Sequence, residues 1–156
     1  MYAKGIEIYC APTADCRDSW TASMRHIAVE GRCFVLSCNQ FNRRRDFPGD
    51  YDSVYGKDPE AIVTRGGSCI VDPFGNFLAG PNMEGEVILT AEIDPRQIIR
   101  GKYDLDVVGH YARPDIFQLQ VDERPKRPVT THSGAATDEE RPSPQISRRT
   151  VPQAGK

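Results

Sequence analysis

The sequence predicts an α/β fold built on a mixed sheet, and three observations carry that prediction. A β-prone run, an amphipathic helical stretch and a second apolar run follow one another within residues 6–37. That is the length of a strand–helix–strand unit with parallel strands and a right-handed crossover. Further on, two short apolar runs flank a Pro/Gly turn, the signature of an antiparallel hairpin. Only 38% of the 156 residues are hydrophobic, and 12 prolines and 13 glycines divide the chain, so the elements must be short.

The first strand is expected over Ile6–Ala11, closed by Pro12. A helix should follow, with Asp18 as its N-cap and Trp20, Met24, Ile27 and Ala28 recurring on one face. Gly31 is its expected stop. Cys33–Ser37 is almost continuously apolar, as a strand buried on both faces would be. Residues 39–65 break the pattern with Arg43, Arg44 and Arg45, then Pro48-Gly49 and Asp58-Pro59. A loop of this length without periodicity is usually functional or an interface. Strands resume at Gly67–Val71, turn at Asp72–Asn76 and return over Phe77–Ala79. Glu86–Ile93 is the longest strand candidate. Asp94-Pro95-Arg96-Gln97 opens a short helix whose apolar side comes from Ile98, Ile99 and Tyr103.

Domain organisation follows from composition. Residues 122–156 hold no aromatic residue but contain five prolines, seven Lys/Arg and five Asp/Glu. Such a stretch lacks the apolar surface that offsets ordering entropy, so residues 1–121 are expected to be globular and 122–156 a disordered tail. A net charge of −2 and a pI near 5.9 give no general attraction to nucleic acid. No run approaches the ~18 apolar residues of a membrane span. The start of the chain has no apolar signal core, and five cysteines, an odd number, read as reduced thiols, so a cytoplasmic location is expected.

Candidate chemistry is sparse. Cys10 lies near the C-terminal end of the first strand, where α/β folds place reactive groups, and His26 and His110 are the imidazoles considered as its base. A small thiol packed on an apolar strand is the more ordinary role. Cys10/Cys16 and Cys33/Cys38 do not have zinc-ligand spacings, and an offset of five sends Cys33 and Cys38 to opposite strand faces, so neither metal nor cofactor is expected. Asp15, Arg17 and Asp18 cluster after the first strand, where a turn can face a ligand crevice or simply cap a helix. The sequence has no phosphate-binding glycine loop and no Gly-x-Ser-x-Gly.

The same residues carry a resemblance. Gly5–Asp15 (GIEIYCAPTAD) followed by Ser19-Trp20, and Met24–Phe41 (MRHIAVEGRCFVLSCNQF), resemble a segment of nitrilases in the carbon–nitrogen hydrolase superfamily. The likeness continues through Arg65-Gly66-Gly67-Ser68, Pro73-Phe74-Gly75, Leu78–Pro81 and Asp104–Asp115, covering residues 1 to about 120. It implies part of a four-layer α-β-β-α sandwich, from an enzyme hydrolysing nitriles to carboxylic acids and ammonia with a Glu-Lys-Cys triad and no metal.

By this resemblance the chain is expected to be the C-terminal half of a nitrilase. The family's nucleophile sits in a Cys-Trp-Glu motif, whereas the single tryptophan here, Trp20, follows Ser19. All three catalytic positions are therefore expected to be missing, Met1 aligning within the helix after the nucleophile, and the chain alone is expected to be inactive. Pro12, Thr13, Ala14 and Asp15 would border the substrate pocket. The helix from Asp18 and the 39–65 loop would contribute to a homo-oligomer or to contacts with a full-length relative, and the His110 stretch to a segment crossing the subunit. A non-catalytic assembly or complementing module is the alternative reading.

Overall fold

The computed structural model describes residues 1–50, 53–126 and 128–129. Met1–Gln118 form one compact unit, and the described residues from Leu119 onward belong to a second. In the first unit, β1 (Ile8–Thr13), α1 (Asp18–Gly31) and β2 (Phe34–Asn39) make the expected strand–helix–strand unit. β1 and β2 are parallel, in register from Ile8↔Phe34 to Thr13↔Asn39. The chain then forms a small antiparallel pair, β3 (Phe41–Arg43) with β4 (Ile62–Arg65). β5 (Ser68–Val71) and β6 (Phe77–Asn82) add antiparallel strands, giving a mixed sheet of order β1-β2-β5-β6.

Alternation along the strands decides which residues form the core. Tyr9, Ala11, Val35, Cys69 and Val71 face α1, which supplies Met24 and Ala28, with Trp20, Ile27 and Phe77 packed at the margin. One polar chain crosses this core and is satisfied. Trp20 Nε1 donates to Ser37 Oγ at 2.9 Å, and Ser37 Oγ donates to the Ala11 carbonyl at 3.1 Å. The opposite face differs. Ile8, Cys10, Pro12 and Cys38 are exposed there and Leu36 is half-buried, although Phe34 on the same face is buried.

The β5–β6 turn follows the expected Asp72–Asn76 chemistry. Asp72 Oδ1 accepts from the backbone N–H groups of Phe74 (2.8 Å) and Asn76 (2.9 Å), and Gly75 takes φ +83° to close the loop. Cys33 is buried and Cys38 exposed, consistent with their expected placement on opposite faces.

Several expectations are corrected. Pro12 does not close β1: it stays in register with Cys38, and the edge strand tolerates its missing donor. Arg17, not Asp18, is the N-cap, and the Asp18 carboxylate pairs with Arg65 instead. Gly31 does not supply the left-handed stop. It is the last helical residue, glycine because a Cβ there would lie 2.5 Å from the Tyr2 ring.

The left-handed position falls to Arg32 (φ 45°), a conformation that costs energy in a residue with a Cβ. Its buried side chain donates to the Pro73 carbonyl (3.2 Å) and to Asp104 (2.8 Å) and lies over the Phe74 ring. Tertiary contacts thus hold the backbone where local preference would not.

Residues 39–65 are not all loop, because β3, β4 and a 3-10 turn at Arg44–Asp46 give backbone groups partners. Residues 86–93 form no strand. An apolar run needs a neighbouring ladder, and among the described residues this one has none, leaving Ile88 90% exposed. α2 (Arg96–Asp104) forms where expected, but Pro95 is its N-cap rather than its first helical residue, and Asp94 Oδ1 accepts from the Arg96 backbone N–H at 3.0 Å. Its buried side is Ile98 and Gly101, while Ile99 and Tyr103 face solvent. Gly101 is small because the Arg32 stem crosses it, 2.8 Å from where a Cβ would stand.

In the second unit, Asp122 accepts hydrogen bonds from Arg124 and pairs with Lys126, which together hold its carboxyl well below the usual carboxylate range. Most of the expected disordered tail, residues 127 and 130–156, lies outside the described residues.

Candidate functional site

In open α/β sheets the ligand crevice lies beyond the carboxyl ends of the parallel strands. Here the ends of β1 and β2 are Thr13 and Asn39, paired in register; of the expected border residues, Pro12 and Thr13 end β1, and Ala14 and Asp15 begin the connection to α1. Pro12 and Ala14 are exposed, Thr13 and Asp15 half-buried. Thr13 Oγ1 accepts from the Asp15 backbone N–H at 2.9 Å, so the turn is stapled to the strand that enters it. Asp15 Oδ1 accepts from the backbone N–H and Nε of Arg17, both at 2.9 Å, and its other oxygen pairs with the same guanidinium. These hydrogen bonds hold the Asp15 carboxyl down at about 2.

Two residues that the sequence reading passed over tie this turn to the rest of the fold. Asn39 Nδ2 donates to the Asp15 carbonyl (3.0 Å) and the Gly66 carbonyl (2.8 Å). Arg65 Nε donates to the Cys16 carbonyl at 2.8 Å, and its terminal nitrogen pairs with Asp18. Gly66 and Gly67 take φ +80° and +101°, which brings Gly67 N–H within 2.7 Å of the Asn82 carbonyl. An asparagine at the end of an apolar strand, and two adjacent glycines after an arginine, were the available signals. A cleft of about 470 Å³ opens beside Asn39, lined also by Gly66, Ser68, Asn82 and Glu86 among others; none of Pro12, Thr13, Ala14 and Asp15 lines it.

The cysteine candidate is not assembled into a site. Cys10 is exposed, and alternation with Ala11 puts it on the sheet face away from α1. His26 rides on α1, 3.9 Å from Glu30, and the His110 ring lies tilted against Tyr111. Among the described residues no three His, Cys, Asp or Glu side chains are grouped to hold a metal ion, and no helix is long and apolar enough to cross a membrane.

A mixed-sheet α/β unit with a cleft beside the end of β2 defines the structural class. Sequence comparison makes it specific: the carbon–nitrogen hydrolase family profile matches residues 1–103, and the chain belongs to that hydrolase family. Its curated relatives include a nitrilase of Bradyrhizobium diazoefficiens, 59% identical over 85% of this chain and 41% of its own. An aliphatic nitrilase of Sinorhizobium fredii is 58% identical over 85% of this chain and 43% of its own. A bifunctional nitrilase/nitrile hydratase of Lupinus angustifolius is 51% identical over 90% and 42%.

The fold is similar to that of a carbon–nitrogen hydrolase from Helicobacter pylori, with a TM-score of 0.55 at 20% identity, over 74% of this chain and 41% of that one. This agrees with the expected partial α/β sandwich. The chain spans about two-fifths of the length of the curated relatives it matches. The comparisons establish the family; they do not establish the narrower expectation that the chain represents its C-terminal half.

Proposed function

We propose that this chain is a scaffold and pocket-border portion of a nitrile-hydrolysing enzyme and does not itself carry the nucleophile. The observation behind this reading is a pairing of two facts. Relatives 51–59% identical are nitrilases, yet no Cys-Trp-Glu occurs in the 156 residues. Nitrile hydrolysis by this family's thiol route needs a cysteine that adds to the nitrile carbon, a glutamate that moves the proton and a lysine that steadies the tetrahedral species. Cys10 stands exposed on the open sheet face, with no hydrogen-bonded base among the described residues.

In this reading Pro12, Thr13, Ala14 and Asp15 form one rim of the pocket in the assembled enzyme. The test is ammonia release from aliphatic and aromatic nitriles by the purified chain. No release above a buffer blank is the expected result, and turnover that disappears in Cys10→Ala would overturn the proposal.

A second reading, an assembly module that completes an oligomer of the chain itself or of a full-length relative, is favoured by the exposed Ile8, Cys10 and Cys38 surface. Co-elution with a full-length nitrilase on size exclusion supports it. Separate elution at every mixing ratio removes it.

A further inference from the structure

We infer that Asn39 is a positioning residue that sets the spacing between the two rims of the proposed pocket. The inference rests on the reading of Pro12–Asp15 as one rim.

Asn39 is the last residue of β2 and stands opposite Thr13, so it emerges where the two parallel strands end. Its carboxamide has two donors, and both are used on turns far away in sequence: the Asp15 carbonyl at 3.0 Å and the Gly66 carbonyl at 2.8 Å. Its oxygen accepts from the Gln40 backbone N–H at 2.8 Å, which fixes the side chain's own orientation. Ser68 fixes the backbone beneath it, accepting from Asn39 N–H at 3.0 Å and donating to the Asn39 carbonyl at 3.1 Å. One planar amide therefore spans the gap between residues 14–17 and residues 65–67.

No isosteric side chain repeats this arrangement. An aspartate would aim a carboxylate at two carbonyl oxygens, and a leucine would leave both carbonyls without a donor. Arg65 makes a second tie, but to the Cys16 carbonyl and to Asp18, at the helix end of the turn. The strand end, where Thr13 and Asp15 would meet a ligand, depends on Asn39. The Asp15 amide bonded to Thr13 Oγ1 and the Arg17 amide bonded to Asp15 Oδ1 report whether the turn is closed.

The experiment is amide hydrogen exchange on the full chain, comparing Asn39→Ala with Ser68→Ala. Ser68→Ala loosens the same strand end through the backbone without removing either carboxamide bond. The expected result is about tenfold or greater acceleration at Asp15 and Arg17 in Asn39→Ala only, with the β2–β5 amides unchanged.

Unchanged exchange at Asp15 and Arg17, a uniform rise across the sheet, or an equal effect in Ser68→Ala would each overturn the inference. Should Asn39→Ala not fold, Asn39→Ser serves as the variant, with the same expected and overturning outcomes. Nitrile turnover by the chain alone would remove the functional reading while leaving these exchange rates in place, so the two failures are distinguishable.

Discussion

The two faces of the main sheet were built from the same strands and met different fates. Toward α1, β1 and β2 contribute Ala11 and Val35, buried with Met24, Ala28, Cys69 and Val71. On the other side the alternate residues Ile8, Cys10, Pro12 and Cys38 are exposed. Period-2 alternation sorts residues between faces but does not say that both faces are covered. In this chain the main core sits on one face, Phe34 being the buried exception on the other. On the proposed reading, that other face is the surface that the rest of the enzyme meets.

Truncation on the two faces should break that symmetry most visibly. Met24→Ala is expected to cost about 2–5 kcal/mol, because the site is fully buried and packed. Ile8→Ala should stay within about 0.5 kcal/mol. Urea unfolding followed by the single tryptophan, Trp20, compares them directly, and equal losses would mean that the open face is covered in solution.

Thiol chemistry sharpens the same contrast. Burial pushes the Cys33 and Cys69 thiols up in pKa as well as hiding them, whereas Cys10 and Cys38 are exposed. Maleimide labelling read by mass spectrometry should modify Cys10 and Cys38 at least about 100-fold faster than Cys33 and Cys69. Comparable rates for all four would contradict the one-sided core.

Arg32 tests whether the covered side is held at its edge by polar contacts. Arg32→Ala removes the bonds to Pro73 and Asp104 and should cost about 2 kcal/mol, measured by the same unfolding curves. Arg32→Gly relaxes the positive φ, so it should cost no more than the alanine variant.

The smallest effects are pH slopes. Burial and the hydrogen bond to Glu30 push Tyr2 up to about 12 from 10.0, so its contribution is complete below pH 10.0 and fades as pH rises toward 12. Tyr2→Phe should flatten that slope in the thermal midpoint. For Asp15 the sign reverses: held at about 2 by Arg17, it stabilises above its ordinary 3.8 and loses that as pH falls toward 2. Arg17→Ala should flatten the midpoint's decline over that acid range.

Local pattern made the parallel unit, the Asp72–Asn76 turn and the place of α2 legible, since each depends on neighbours in sequence. It failed where distant residues decide. Arg32 holds the left-handed position beside a glycine because Pro73 and Asp104 grip its side chain. Residues 86–93 have a strand's composition but no ladder to join among the described residues. Asn39 and Arg65 escaped the site reading because the carbonyls they serve, on Asp15, Cys16 and Gly66, lie in other turns.

Covalent trapping tests the central claim most directly. The chain is incubated with a carbon-13-labelled nitrile, quenched in acid and mapped by mass spectrometry at all five cysteines. The account predicts no labelled thioimidate or acyl adduct at any of them. A stoichiometric adduct on Cys10 would place a working nucleophile within these 156 residues and contradict it.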